Sequence, residues 1–292
     1  MNLGKYLNLE KYLESYSEKI GLLEEMVVGV ITTDLINTLI VSGSSGVGKT
    51  YNINRLLQKQ SEDDNNPIKY RKVTGKITPL AFFNVLYENS TYDSVCYFDD
   101  ADSILSEETS LNLLKEASEK VPQRIISYLS TRLGESKGSN TTFDGKIIIS
   151  TNIKISKSAH LMAVYDRFHV MELNISYLEK LAKIQDIVDK SAPEHRDVNQ
   201  EVLKFLIENE SILETDNVTI RTFIKLQELA RLTPRNWRRI AEISETYFTE
   251  KKKKITTPVT APPAPVSPVG SISFISSVRK KMIAQFTLKG LT

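Results

Sequence analysis

Apolar residues recur at three- and four-residue steps through residues 2–34, with Leu9, Leu13 and Tyr16 on one side, and that spacing predicts a long opening helix. Residues 37–43, NTLIVSG, form a short apolar run that ends in a glycine-rich turn, the pattern of a buried strand, and residues 50–60 return to helical spacing. IKYRKVTG (68–75) predicts a second strand, followed by a helix over 79–89 that Pro79 opens near its first turn. SVCYFDD (94–100) predicts a third strand, and 106–121 a helix with Ser106 as N-cap. RIISYLST (124–131) and GKIIISTN (145–152) predict two more strands around the polar loop 132–145. Strands alternating with helices imply an α/β layer around a mostly parallel five-stranded sheet.

From about residue 174 the spacing turns helical throughout. Segments 176–190, 197–209, 218–232 and 234–248 predict four successive helices, a small bundle of their own. After four lysines at 251–254 comes a segment holding five of the chain's ten prolines, a density that predicts an extended linker. Beyond it Ile275, Val278, Met282 and Phe286 alternate with Arg279, Lys280 and Lys281, predicting a short basic amphipathic helix. The expected divisions are therefore an α/β core (1–172), a helical domain (173–250), a proline-rich linker (251–270) and a basic tail (271–292).

Composition narrows the class. With 40% hydrophobic and 25% charged residues among 292, the chain has the make-up of a water-soluble protein with room for two modest cores. No long uncharged apolar run suggests a membrane span, and the single cysteine, Cys96, allows no internal disulfide. Both fit a cytoplasmic protein. The net charge of +2 conceals an asymmetry: residues 251–292 hold eight Lys/Arg and no Asp or Glu, leaving 30 basic against 36 acidic side chains in the body. A mildly acidic body is not coated for nucleic acid, so any such contact must be local.

The chemistry concentrates in GSSGVGKT, Gly43, Ser44, Ser45, Gly46, Val47, Gly48, Lys49 and Thr50. This matches G-x-x-x-x-G-K-[ST] between a predicted strand and a predicted helix, the context that motif requires. The glycines let backbone N–H groups close around phosphates, Lys49 reaches the β- and γ-phosphates, and the Thr50 hydroxyl takes Mg²⁺. A nucleoside triphosphate and Mg²⁺ are thus the expected ligands. The metal needs a carboxylate from a neighbouring strand, and Asp99 at the end of the third strand supplies it. Asp102 is expected to be a solvated residue at a helix start.

These residues resemble the AAA+ ATPases over about residues 20–250. The resemblance makes VCYFDD the Walker B strand, with Asp99 as the Mg²⁺-associated acid and Asp100 in the catalytic-acid place. It makes IIISTN the sensor 1 strand, with Asn152 beside the γ-phosphate, and places the arginine finger at Arg167 in LMAVYDRF. The four-helix segment becomes the AAA+ lid, and Val28 and Gly29 fall where the family lines its adenine pocket. For the sensor 2 arginine two candidates stand: Arg235 in TPRNWRR, and Arg221 in TIRTF, which the helix count favours because it opens the third lid helix. A finger acting in trans implies a head-to-tail ring, hexameric in this family.

Asp100 stands where many such enzymes carry glutamate. A carboxylate one methylene shorter sits about 1.5 Å back, and misplacement of that order can cost ~10²-fold. Asp-Asp here resembles the initiator and helicase-loader branches, which turn over slowly, so slow hydrolysis is expected. The loop VTGKITP lacks the aromatic of protein-threading rings, while the segment 132–142 resembles the pre-sensor 1 hairpin of DNA-handling branches. Lys76, Arg132 and Lys137 are the cations that could meet a partner at a pore, and the basic tail is a second route to a protein or nucleic-acid partner. The leading expectation is an ATP-driven remodeller or loader, its compact build resembling phage-encoded AAA+ proteins of the host cytoplasm. An ATP-gated scaffold with little turnover is the alternative. A small-molecule kinase shares the phosphate loop but not the STN strand, Arg167 or the helical lid.

Overall fold

The computed structural model describes residues 9–128, 140–153, 161–209 and 218–243. Helix α1 (Leu9–Thr32) buries Tyr16, Ile20, Leu23, Val27, Val30 and Ile31; of the three residues that the spacing marked, Tyr16 is buried and Leu9 and Leu13 are half-buried. There follow β1 (Thr38–Ser42), α2 (Lys49–Ser61), β2 (Lys69–Thr74), α3 (Pro79–Glu88) and β3 (Ser94–Asp99). Next come the short α4 (Asp102–Ser106), α5 (Glu108–Ala117), β4 (Ile125–Ser127), β5 (Asn140–Thr142) and β6 (Lys146–Thr151). A turn of helix, α6 (Met162–Tyr165), and β7 (His169–Glu172) complete the α/β part.

Five strands form a parallel sheet in the order β2-β3-β6-β1-β7. Its central strands are apolar almost throughout because helices cover both faces. Alternation along β6 divides them: Ile147 and Ile149 join Phe82, Phe83 and Leu114 on one face, while Ile148 joins Leu23, Val27 and Ile53 on the other.

The number of strands agrees with expectation, but one member differs. The described part of segment 124–131 does not enter the sheet: β4 pairs antiparallel with β5, which comes from the predicted polar loop. The fifth strand is β7, only four residues long and nowhere fully buried, so it carries too little alternation to announce itself. Ser106 is also placed differently: it ends α4 instead of capping α5, whose N-cap position is Glu107. Burial of Ile104 and Leu105 against the core favours this extra helical turn.

The four later helices are α7 (Tyr177–Asp189), α8 (Pro193–Glu208), α9 (Ile220–Leu232) and α10 (Trp237–Ile243). They share a separate apolar cluster, in which the Phe205 and Trp237 rings meet edge to face at 5.1 Å. Contacts gather Met1–Lys251 into one compact unit. The linker and tail predicted for 251–292, with Arg132 and Lys137, lie outside the described residues.

Helix α1 is clasped to the start of the bundle. Ser176 and Glu179 form a capping box on α7, and the buried Glu179 carboxylate also accepts Ser15 Oγ at 2.6 Å and Lys19 Nζ at 2.8 Å. Burial alone would raise the Glu179 pKa, but the bonds from Lys19, Ser15 and Ser176 outweigh it and pull it down to about 2. A carboxyl depressed from about 4.5 stabilises the fold fully above that pH and loses its contribution as pH falls toward 2. Glu179→Gln is therefore expected to cost up to about 3 kcal/mol at pH 7 and progressively less between pH 4.5 and 2. Urea unfolding of both proteins at pH 7 and pH 3 checks this; a pH-independent difference would count against the ion pair.

Candidate functional site

Sheet order sets the site. Because β6 lies between β1 and β3, the C-terminal ends of these three strands sit side by side, with Ser42 opposite Thr151 and Ser150 opposite Asp99. The glycine-rich loop leaves β1, Asp99 and Asp100 end β3, and Asn152 follows β6. Ligand sites of parallel α/β sheets lie at such carboxyl ends.

Two glycines of the loop cannot be replaced freely. Gly46 has φ 71°, and a Cβ on it would lie 2.7 Å from Thr219 Cβ. Gly48 caps α2 at φ 102°, where a Cβ would lie 3.1 Å from the Tyr16 hydroxyl. Both positions combine left-handed backbone with close packing, which only glycine meets without strain. Backbone so tightly wrapped at the start of a thirteen-residue helix presents N–H groups toward one point, a cradle for phosphate oxygens.

Lys49 is buried, and its ammonium donates to Gly43 O at 2.6 Å, Ser44 O at 2.9 Å and Asn152 Oδ1 at 3.0 Å. Burial lowers its pKa, opposed by the negative charges of Asp100 and Asp99. Asn152 Nδ2 donates in turn to Asp100 Oδ1 at 3.0 Å. A continuous chain thus runs from the loop lysine through the β6 amide to the second acid of β3.

Asp99 is nearly buried and is the most heavily bonded group of the site. Its Oδ1 accepts Ser150 Oγ at 2.6 Å, Thr50 Oγ1 at 2.8 Å and Tyr97 OH at 3.1 Å, while Oδ2 pairs with Lys72 Nζ at 3.1 Å. Burial pushes its pKa up, yet the combined bonds from Ser150, Thr50 and Lys72 prevail and hold it below the usual carboxylate range. Tyr97, Ser150 and Lys72 carry no motif signal; only strand pairing reveals them. Asp100 is exposed and stands at φ 52°, its N–H bonded to Ser150 O at 3.0 Å. Asp is among the residues enriched in this left-handed region, where glutamate is less favoured. Asp102, expected to be merely solvated, instead accepts Thr151 Oγ1 at 2.6 Å and ties α4 to the end of β6.

The bundle reaches the loop from the other side. Arg221, in the first turn of α9, donates to Ser45 Oγ at 3.4 Å, and Thr219 lies against Gly46. Arg235 sits in the exposed turn between α9 and α10, and no described contact joins it to the loop. Of the two arginines, the structure brings Arg221 to the site.

Besides Arg235, two residues expected at this site are not gathered there. Val28 and Gly29 lie near the far end of α1, twelve residues beyond Tyr16, whose hydroxyl donates to Val47 O at 3.2 Å. Twelve helical residues span about 18 Å, which puts these two toward the opposite edge of the sheet. There Lys146, at the start of β6, donates to the carbonyls of Ile31 and Thr33. Tyr16 and, beside Gly48, Ile20 are α1 residues that do touch the loop. Arg167 lies beside the start of β1, its carbonyl accepting Thr38 Oγ1 at 3.5 Å. The length of β1, about 13 Å for four residues, separates that point from Ser42.

The donor set suits Mg²⁺ held together with a phosphate. Among the described residues no group of three or more His, Cys, Asp or Glu could cage an ion alone. Mg²⁺ usually keeps waters and takes one or two protein oxygens plus substrate phosphate oxygens, which the Thr50 hydroxyl and Asp99 carboxylate, 2.8 Å apart beside the loop, can satisfy.

No protein-family profile matches the chain. It is similar to an uncharacterized 36.7 kDa protein of enterobacteria phage T4, from the nrdC–mobD intergenic region. The two are 27% identical over 258 residues, covering 80% of this chain and 78% of that protein. None of the described helices is long and apolar enough to cross a membrane.

Proposed function

We propose that the chain is an AAA+ ATPase that binds Mg-ATP on the Gly43–Thr50 loop and hydrolyses it slowly, in a ring of like subunits, to remodel or load a macromolecular partner. One observation carries this reading: Lys49, Thr50, Asp99, Asp100 and Asn152, drawn from three segments of the chain, meet at adjacent strand ends in two neighbouring hydrogen-bonded groups, Lys49–Asn152–Asp100 and Thr50–Asp99. The sheet order, with the loop strand beside the Asn152 strand, and a helical bundle that delivers Arg221 to the loop support it. The phage relative fits a phage-encoded protein of this kind.

In this reading the loop amides and Lys49 bind the phosphates, and Thr50 and Asp99 hold the metal. Mg²⁺, when bound, neutralises charge on the β- and γ-phosphates. Asp100 orients the attacking water and takes its proton, and Asn152 fixes that carboxylate through its amide. Arg221 reports the nucleotide to the bundle, and Arg167, remote from its own loop, serves the neighbouring subunit's site. The positive φ at Asp100 gives a physical reason for the shorter acid: an aspartate keeps the left-handed turn that lets its N–H reach Ser150.

Asp100→Asn keeps that backbone, since asparagine also accepts positive φ, but removes the base. Its turnover is expected to fall by ~10²-fold or more while affinity for ATP stays within a few-fold of wild type. Steady-state phosphate release and fluorescent-nucleotide binding check this. Wild-type turnover no higher than that of Lys49→Ala would instead favour the ATP-gated scaffold, the alternative that the exposed, amide-tethered Asp100 leaves standing.

A further inference from the structure

The metal-site carboxylate already holds a cation of the protein's own. Lys72 lies on β2, the edge strand, where its register partner is Tyr97 on β3. Strand alternation turns Tyr70, Lys72 and Thr74 toward the face on which α2 and Asp99 lie. The Lys72 ammonium reaches Asp99 Oδ2 at 3.1 Å and passes 5.4 Å from the Tyr97 ring centre. The other oxygen, Oδ1, takes hydroxyls from Ser150, Thr50 and Tyr97, more donors than its two lone pairs can serve well. Oδ1 is therefore crowded and Oδ2 is held by Lys72 alone, so a dication approaching Oδ2 meets the ammonium.

The partners differ in how readily they leave. Ser150 is fully buried on the central strand β6 and Tyr97 is fully buried on β3, so neither can withdraw without opening the core. Lys72 has a flexible stem, and its side chain is 31% exposed against 6% for Asp99. It can swing into water at the loss of one partly solvated ion pair. Neutralising a nearly buried carboxylate is also worth most when no other cation is present.

We infer that Lys72 is an internal counter-cation that holds Asp99 when the metal is absent and gives way to Mg²⁺, and so sets how much Mg²⁺ the site needs. Lys72 is a positioning residue, acting through Asp99 and not on the substrate, and the inference rests on the nucleotide-binding reading above. Its consequence is a site that binds nucleotide with metal less tightly than Thr50 and Asp99 alone would allow, because the incoming dication competes with an ammonium tethered beside it.

The test uses the full chain and a fluorescent ATP analogue titrated with Mg²⁺. In Lys72→Met the Mg²⁺ concentration for half-maximal binding is expected to fall roughly three- to tenfold, the range of a partly exposed charged pair. Lys72→Arg, which keeps the charge, should stay near wild type. A metal-free readout runs beside it: in EDTA, Lys72→Met should lower resistance to urea in the wild-type background and have little effect once Asp99→Asn has removed the charge it serves. An unchanged or higher Mg²⁺ midpoint in Lys72→Met, or equal urea effects in both backgrounds, would overturn the inference. A wild-type chain that takes no analogue at any Mg²⁺ concentration would overturn the nucleotide reading and this inference together; binding by wild type with no shift in Lys72→Met overturns this inference alone.

Discussion

Lys49→Ala is expected to weaken ATP binding by at least ~10²-fold, the largest binding effect of any single substitution in this chain. The ammonium sits inside the glycine-rich loop, bonded to two loop carbonyls and to Asn152. A bound triphosphate would recruit the same ammonium, and each charge-assisted bond lost is worth about 1.5–3 kcal/mol. Alanine also removes the bond from Lys49 to Asn152, the residue that holds the Asp100 carboxylate. The variant keeps Gly46 against Thr219 and Tyr16 on Val47, so it should still fold. Titration with a fluorescent ATP analogue, with unfolding midpoints as control, provides the check. Affinity within a few-fold of wild type would remove Lys49 and its loop from the nucleotide site.

Arg167→Ala is expected to leave that affinity nearly unchanged and to lower turnover by ~10³–10⁵-fold, the worth of an arginine finger. The expectation comes from position. Arg167 lies by the start of β1, whereas the glycine-rich loop leaves the other end of that strand, so its side chain cannot serve its own loop. The proposed action across a subunit boundary can be tested by mixing. Arg167→Ala chains keep an intact site and Asp100→Asn chains keep an intact finger, so a mixture should recover activity that neither has alone. Failure to recover activity in a mixture shown to co-assemble would count against action in trans.

Much of this architecture was legible from spacing. The motif at 43–50, the apolar strand ending in Asp99 and Asp100, and the STN end of β6 each stand out locally, because strand alternation and turn chemistry are local properties. The four later helices were legible for the same reason: their apolar positions repeat within a few residues. Where the signal was short, it misled. Segment 124–131 is apolar enough for a core strand, yet β4 pairs with the hairpin strand β5, while the inconspicuous β7 closes the sheet beside β1.

Residue roles divide along the same line. The sequence alone determined the phosphate-loop pattern, the acids that partner it and the pairing of an α/β layer with a helical bundle. Each of these is written in neighbouring residues, through glycine conformation and hydrophobic period. Only the tertiary structure decided that Arg221 and not Arg235 meets the loop, that Tyr16 and Ile20, not Val28 or Gly29, touch it from α1, and that Asp99 is shared by Tyr97, Ser150 and Lys72. These contacts join residues far apart in the chain or on different strands. They depend on strand order, register and the angle at which helices cross the sheet, which are set by how the whole core packs and are encoded in no single stretch of it.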